Sequence, residues 1–248
     1  MDTIFSLSVC LIAAALLAMS LCAGTAWAYR PFDGTDAAVA EPAEVEIELG
    51  PAQYFREGPE RTLVAPAAIL NVGLGSRWEA VLEGQYAHSL SDEAPRSSLI
   101  ENGAFLKNVL REGSLQDKPG PSLATEFGAL LPGIGSEHGT GASIGAIVSE
   151  QWPRLTVHLN VVAALTRDHH GDIFIGAIFE GTLGWPVRPV AEVFYERDST
   201  GLETVSGLAG AIWQWDRSLS FDLGVRRARS GDRDVDEVRA GLTWVFAL

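Results

Sequence analysis

Carboxylates recur at alternate positions in several short runs: Glu44, Glu46 and Glu48 in EVEIEL, Glu79 and Glu83 in WEAVLEGQYA, and Glu192 in VAEVFYERD. Glu126, Glu180 and Asp222 stand in comparable settings, as do the cations Arg226, Arg239 and Lys107. Two chemistries suit such a set. Rings of carboxylates inside a pore favour cations and repel anions. Acid–arginine pairs on neighbouring strands brace a wall. Bracing is the main role read here, with cation preference as its consequence. Acids outnumber bases, so some carboxylates need water or a proton.

The histidines invite a different chemistry. His158 and Asn160 share one face of LTVHLNVVAAL, within reach of glutamate-bearing neighbours. A His–carboxylate pair with a serine would make hydrolytic machinery. A catalytic serine needs its base within hydrogen-bond reach, which spacing alone does not establish for His158. His88-Ser89 and Ser136-Glu137-His138 lie in loops without a nucleophile context, so no catalytic residue is assigned. His169-His170 in RDHHGD, beside Asp168 and Asp172, offers metal donors. Adjacent histidines on one loop rarely complete a site alone, and this one reads as a solvated tip. The glycines of GLGSRW and LPGIGSEHG open no helix and are turns rather than phosphate loops. Neither a metal nor a cofactor is expected.

Period-two segments must position these residues. In WEAVLEGQYA, Trp78, Ala80, Leu82 and Tyr86 oppose Glu79, Glu83 and Gln85. LTVHLNVVAAL, DIFIGAIFEGTL, LSFDLGVRR and EVRAGLTWVFAL alternate in the same way. In TLGWPVRPVAEVFYERD, Ala191, Val193 and Tyr195 oppose Val190, Glu192, Phe194 and Glu196. Less regular segments fill positions 63–74, 99–110, 122–132, 141–151 and 202–215. The total is about twelve strands, an even number that suits a closed antiparallel sheet.

The connections differ at the two ends. YFREGPERT, SLSDEAPRSS, GIGSEHGTG, TRDHHGD, ERDSTGLET and ARSGDRDVDE read as long charged loops. GSR, WPR, WPV and DRS are short turns, and only REGSLQDKPGPS breaks the pattern. Trp78, Trp152, Trp185, Trp213, Trp215 and Trp244 all lie by short turns or near the C-terminus, hence at one end. Indole rings favour a membrane interface, where an apolar body and an N–H donor are both satisfied. The expectation is an all-β fold, a closed antiparallel transmembrane β-barrel of about twelve strands, with an aromatic girdle on one rim. A backbone cylinder of this kind is roughly 24 Å across, too narrow for a wide porin channel.

The first 28 residues form an apolar run ending in Ala-Trp-Ala, the pattern of a cleaved secretory signal, with the mature start near Ala28/Tyr29. The region before that run carries Asp2 and no basic residue, so a retained anchor is the rival reading. Cys10 and Cys22 fall inside it, which leaves the rest of the chain without thiol chemistry. The formal charge of −14 over 248 residues, with Lys107 and Lys118 the only lysines, argues against nucleic acid. Residues 29–42 read as an N-terminal lead, and 43–248 as the barrel.

Within RPFDGTDAAVAEPAEVEIELG, an Arg-Pro-Phe precedes a Thr35-Asp36-Ala37 turn and a glutamate-rich first strand. With Leu106-Lys107 and PSLATEFGALLPG, this resembles the outer-membrane barrels of the MetA-pathway-of-phenol-degradation family. The resemblance implies a passive route for small hydrophobic or aromatic compounds across the outer membrane of a Gram-negative bacterium. It assigns no ligand residues and is only architectural after residue 140. Leu242, Trp244, Phe246 and Leu248 share one phase, as in the last strand read by the barrel-assembly machinery, with Leu248 in place of the usual aromatic. Outer-membrane lipid, that machinery and an unidentified small molecule are the expected partners. Two alternatives stay open. One is an outer-membrane hydrolase acting on lipid or peptide, with His158 or a loop histidine as base. The other is a soluble periplasmic barrel, with an apolar interior around its ligand.

Overall fold

A computed structural model of the chain describes residues 30–91, 97–135, 138–182 and 184–248. The signal segment, its cleavage point at Ala28/Tyr29, residues 92–96 of the SLSDEAPRSS connection, the Ser136-Glu137 pair and residue 183 lie outside the described residues.

Twelve strands follow one another: β1 (Glu44–Glu57), β2 (Glu60–Gly75), β3 (Trp78–Ser89), β4 (Ser98–Arg111), β5 (Ser122–Leu130), β6 (Gly141–Trp152), β7 (Leu155–Leu165), β8 (Gly171–Gly181), β9 (Val187–Asp198), β10 (Glu203–Gln214), β11 (Leu219–Ser230) and β12 (Arg233–Ala247). Each pairs antiparallel with its sequence neighbours, and β12 returns to β1. The sheet is closed. At the seam, Glu46 lies opposite Val245 and Glu48 opposite Thr243. No described helix is long and apolar enough to cross a membrane. Crossing is left to strands, whose backbone groups are all paired in a closed barrel.

Alternation sets the polarity of the two faces. Leu82, Ile144, Leu159, Ile175, Val193, Val205 and Leu223 are exposed on the outside. The carboxylates of the opposite phase are buried inside, Glu48 completely and Glu79 and Glu192 nearly so. A soluble ligand-binding barrel requires the reverse, so that alternative is corrected: the apolar band faces outward. Apolar packing inside is confined to small groups such as Ala37, Leu115, Ala124 and Ile147.

Two connections expected as long loops are hairpins. Residues 54–62 continue β1 and β2 to a turn at Gly58, whose φ of 55° suits a residue without Cβ. Residues 228–237 do the same around Gly231, also at φ 55°. Their charges are compatible with strand because they pair across it: Arg56 Nη2 lies 2.5 Å from Asp236 Oδ2, and Arg227 lies 3.5 Å from Asp234.

The short turns carry their own fixings. Asp216 Oδ1 accepts the N–H groups of Ser218 (2.8 Å) and Leu219 (3.0 Å), which ties the β10–β11 corner. The Ser218 N–H foremost holds that carboxyl below the usual aspartate range. The exceptional connection at 111–122 is also ordered. It contains a single 3₁₀ turn, Ser114–Gln116, whose Leu115 is buried.

Candidate functional site

The interior of the barrel is occupied by its own N-terminal segment. Residues 30–42 enter the lumen and run to the short-turn end, where β1 begins. An extended segment without secondary structure exposes its backbone N–H groups, and a buried one must find acceptors for them. The inward carboxylates supply these. Glu192 accepts from both Asp33 (2.9 Å) and Gly34 (2.7 Å), Glu79 from Ala40 (2.6 Å), and Glu48 from Arg30 (3.1 Å). Asn160 closes a two-way bond with Thr35, accepting its N–H at 3.1 Å and donating to its carbonyl at 2.9 Å. Ser149 Oγ accepts the Ala37 N–H at 2.9 Å.

Side chains of the segment complete the grip. Lys107 Nζ donates to Thr35 Oγ1 at 3.1 Å and Asp36 Oδ1 at 3.3 Å. The Thr35-Asp36 turn and Lys107, both noted in the sequence, therefore meet in space. Arg239 donates to Asp33 and to the Pro31 carbonyl, each at 2.7 Å, and Arg226 lies 3.5 Å from Asp33. Arg30 donates to the Ala240 carbonyl at 3.4 Å, and its Nε lies 3.7 Å from Asp222. Phe32 packs on Val190 and Ile212, and Gln116 donates to the Ala37 carbonyl at 3.1 Å. Burial pushes the Asp36 carboxyl up, but Lys107, His158 and the Ala38 N–H outweigh it, leaving that group below the usual aspartate range.

Glu237 organises the wall beside this segment. Its carboxylate lies 2.6 Å from Arg226 Nε and 2.7 Å from Arg239 Nε, and it also accepts from Gln53. It shares the phase of Arg239, which is the sequence signal that would have found it.

His158 has both a serine and a carboxylate as neighbours. Its Nδ1 lies 2.8 Å from Ser149 Oγ, and its Nε2 lies 3.2 Å from Glu180 Oε1, off the line of a hydrogen bond. Arg188 Nε stands 3.6 Å from the other oxygen of Glu180. A serine–histidine–carboxylate sequence is thus present. Ser149 is fully buried, however, and its oxygen is engaged by the Ala37 N–H. In this arrangement Ser149 braces the inserted segment through that bond, with His158 and Glu180 behind it in the wall. Ser149 escapes sequence reasoning because its strand alternates weakly.

The remaining inward positions divide between wall and cavity. Glu44 and Glu46 are buried near the short-turn end, and Glu46 Oε1 has no hydrogen-bond partner among the described residues. Glu83 and Glu126 line a cavity of about 420 Å³ that lies between the inserted segment and the long-loop end. Trp78, Trp152, Trp185, Trp213, Trp215 and Trp244 are all exposed at the opposite rim, with Trp213 and Trp215 edge to face at 5.1 Å. Among the described residues, no three histidine, aspartate or glutamate groups converge to hold a metal ion.

No protein-family model matches the chain, and no curated protein matches it in sequence. Solved structures match in shape. The COG4313 outer membrane channel from Pseudomonas putida F1 superposes with a TM-score of 0.59 at 12% identity, over 88% of this chain and 100% of that one. The KdgM porin in complex with disordered oligogalacturonate gives 0.55 at 11%, over 80% and 98%. The translocator domain of the autotransporter NalP from Neisseria meningitidis gives 0.51 at 14%, over 97% and 96%. Identities this low establish a shared fold, that of a transmembrane barrel.

Proposed function

We propose that the chain is an outer-membrane β-barrel serving as a passive channel or transporter for small molecules, closed at rest by its own residues 30–42. The observation that carries this reading is the way the lumen is filled. Polar wall groups end on the backbone of one short segment rather than on a continuous apolar core. Such contacts can be exchanged for water at modest net cost. A cavity already lies beyond the segment. Two of the neighbours are a channel and a porin, and the third is an autotransporter's translocator domain with the same fold, so the lumen decides between them.

The short-turn rim with its tryptophans lies at the periplasmic side on this reading, and the long-loop rim outside. The resemblance in residues 30–50 adds small hydrophobic or aromatic compounds as cargo. Membrane lipid on the apolar band and the assembly machinery at the last strand complete the expected partners.

Conductance in planar bilayers tests the proposal, comparing the full chain with a variant lacking residues 30–42. The intact protein gives rare or small openings, and the deletion gives steady ones. A variant that migrates as a folded barrel on unheated gels yet stays sealed in the bilayer would falsify the channel reading. The hydrolase reading has one observation in its favour, the Ser149–His158–Glu180 sequence, and is tested separately below.

A further inference from the structure

Building on the channel reading, we propose that the cavity above the inserted segment is a binding site for an organic cation, an ammonium group carried on an apolar or aromatic body. The charge balance of the lining points this way. Glu83, Glu101, Glu126, Asp172 and Glu196 reach the cavity from five different strands. The cations that also reach it are Arg30 and Arg239, and both are committed elsewhere. Arg239 is held by Asp33 and Glu237, and Arg30 by Asp222 and the Ala240 carbonyl. Glu101 is faced by Arg167 at 3.5 Å. Glu83, Glu126, Asp172 and Glu196 make no hydrogen bond or close ion pair among the described residues.

A second observation is independent of that charge. Asn71 is 1% exposed and lines the cavity. Its Nδ2 donates to Glu48 at 3.0 Å, while its Oδ1 has no hydrogen-bond partner. A buried amide oxygen without a donor costs about 1–3 kcal/mol. The four carboxylates and this oxygen are all acceptors, so an occupant that brings N–H donors and positive charge matches them.

The spread of the acids selects among cations. No three of them converge closely enough to hold a metal ion. Between them stand Ile69, Val81, Phe105 and Phe174, with Phe32 from the inserted segment. Aromatic faces attract cations through the ring quadrupole and accept an apolar body by burial. An anion of equal size meets repulsion, and a neutral aromatic leaves the acceptors unmet.

Equilibrium dialysis of the folded full chain in detergent tests this, with 2-phenylethylammonium as probe and 3-phenylpropionate as its anionic counterpart, each corrected for uptake by empty micelles. The ammonium should bind at least tenfold more tightly than the carboxylate. A Glu126→Gln, Asp172→Asn double variant should lose at least tenfold in affinity while keeping its unheated gel mobility. Where that variant fails to fold, Glu196→Gln alone should lose at least threefold. Equal binding of the two probes, or unchanged binding in the folded variants, overturns the assignment. Binding without conductance in bilayers upholds the site and removes the channel; conductance without cation preference does the opposite.

Discussion

Lys107 Nζ stands 3.3 Å from the Asp36 carboxylate, joining the wall to the segment inside it, and its side chain is wholly shielded from water. Removing one partner of a buried pair costs about 3–5 kcal/mol, because the other charge is left stranded. Lys107→Met should therefore release the inserted segment. The chain beyond Cys22 has no cysteine, so Ala38→Cys reports release cleanly. Its labelling by a thiol reagent should accelerate at least tenfold in the Lys107→Met background. Unchanged labelling would show that the pair does not hold the segment.

The same contact fixes a pH dependence. The Asp36 carboxyl lies below its ordinary value of 3.8 in the folded state. A group depressed in this way contributes stability that is complete above the unfolded value and lost as pH falls through the folded one. Labelling at residue 38, divided by that of a free cysteine at the same pH because the reactive thiolate fraction itself falls in acid, should be flat between neutral pH and about pH 5, then rise in stronger acid. A rise already complete by pH 5 would assign the hold to other groups.

Close approach gives a purely steric test. A Cβ built on Gly73 would lie 2.0 Å from the Glu41 carbonyl oxygen, and one on Gly207 would meet nothing within 4 Å. Gly73→Ala should displace the end of the inserted segment and raise open-channel conductance, whereas Gly207→Ala should not. Equal conductance in both would mean that the segment does not limit passage.

The outward apolar band predicts where charge is forbidden. Leu223 is 57% exposed in the isolated chain, and an arginine on the lipid face near mid-membrane costs about 2–4 kcal/mol. Leu223→Arg should lower folding stability in lipid vesicles by that amount, measured by urea titration. Leu202→Arg, beside the β9–β10 turn, should change it little. Tolerance at both positions would contradict burial of the band in lipid.

Ser149 separates bracing from catalysis. Ser149→Ala removes the acceptor of the Ala37 N–H and should weaken docking of the segment by about 1–3 kcal/mol. Hydrolysis of a nitrophenyl ester should not change. A loss of ester hydrolysis shared by Ser149→Ala and His158→Ala would instead establish the hydrolase reading.

Alternation was enough to place Glu79, Glu192 and Asp222 on one face and Trp78, Trp213 and Trp244 at one rim, because period two is a local property. Charge misled at 54–62 and 228–237. Arg56 looks like a loop residue until Asp236, 180 positions away, is placed beside it. The lumen was least legible. Thr35 and Asn160 lie 125 residues apart, and Ala37 and Ser149 lie 112 apart, so no spacing rule connects them. Register near residue 100 was equally hidden, since Glu101 adopts a φ of 49° and the β4–β5 pairing slips between Val109 and Arg111.

Arg30 touches Glu48 on β1, Asp222 on β11 and Ala240 on β12. These three strands meet where the sheet closes on itself, so the residue acts as a clasp across the join. The first described residues to leave the ribosome thus find their seat only after the last strand has been made. Synthesis and completion run in opposite directions: the barrel must be a cylinder before it can be stoppered.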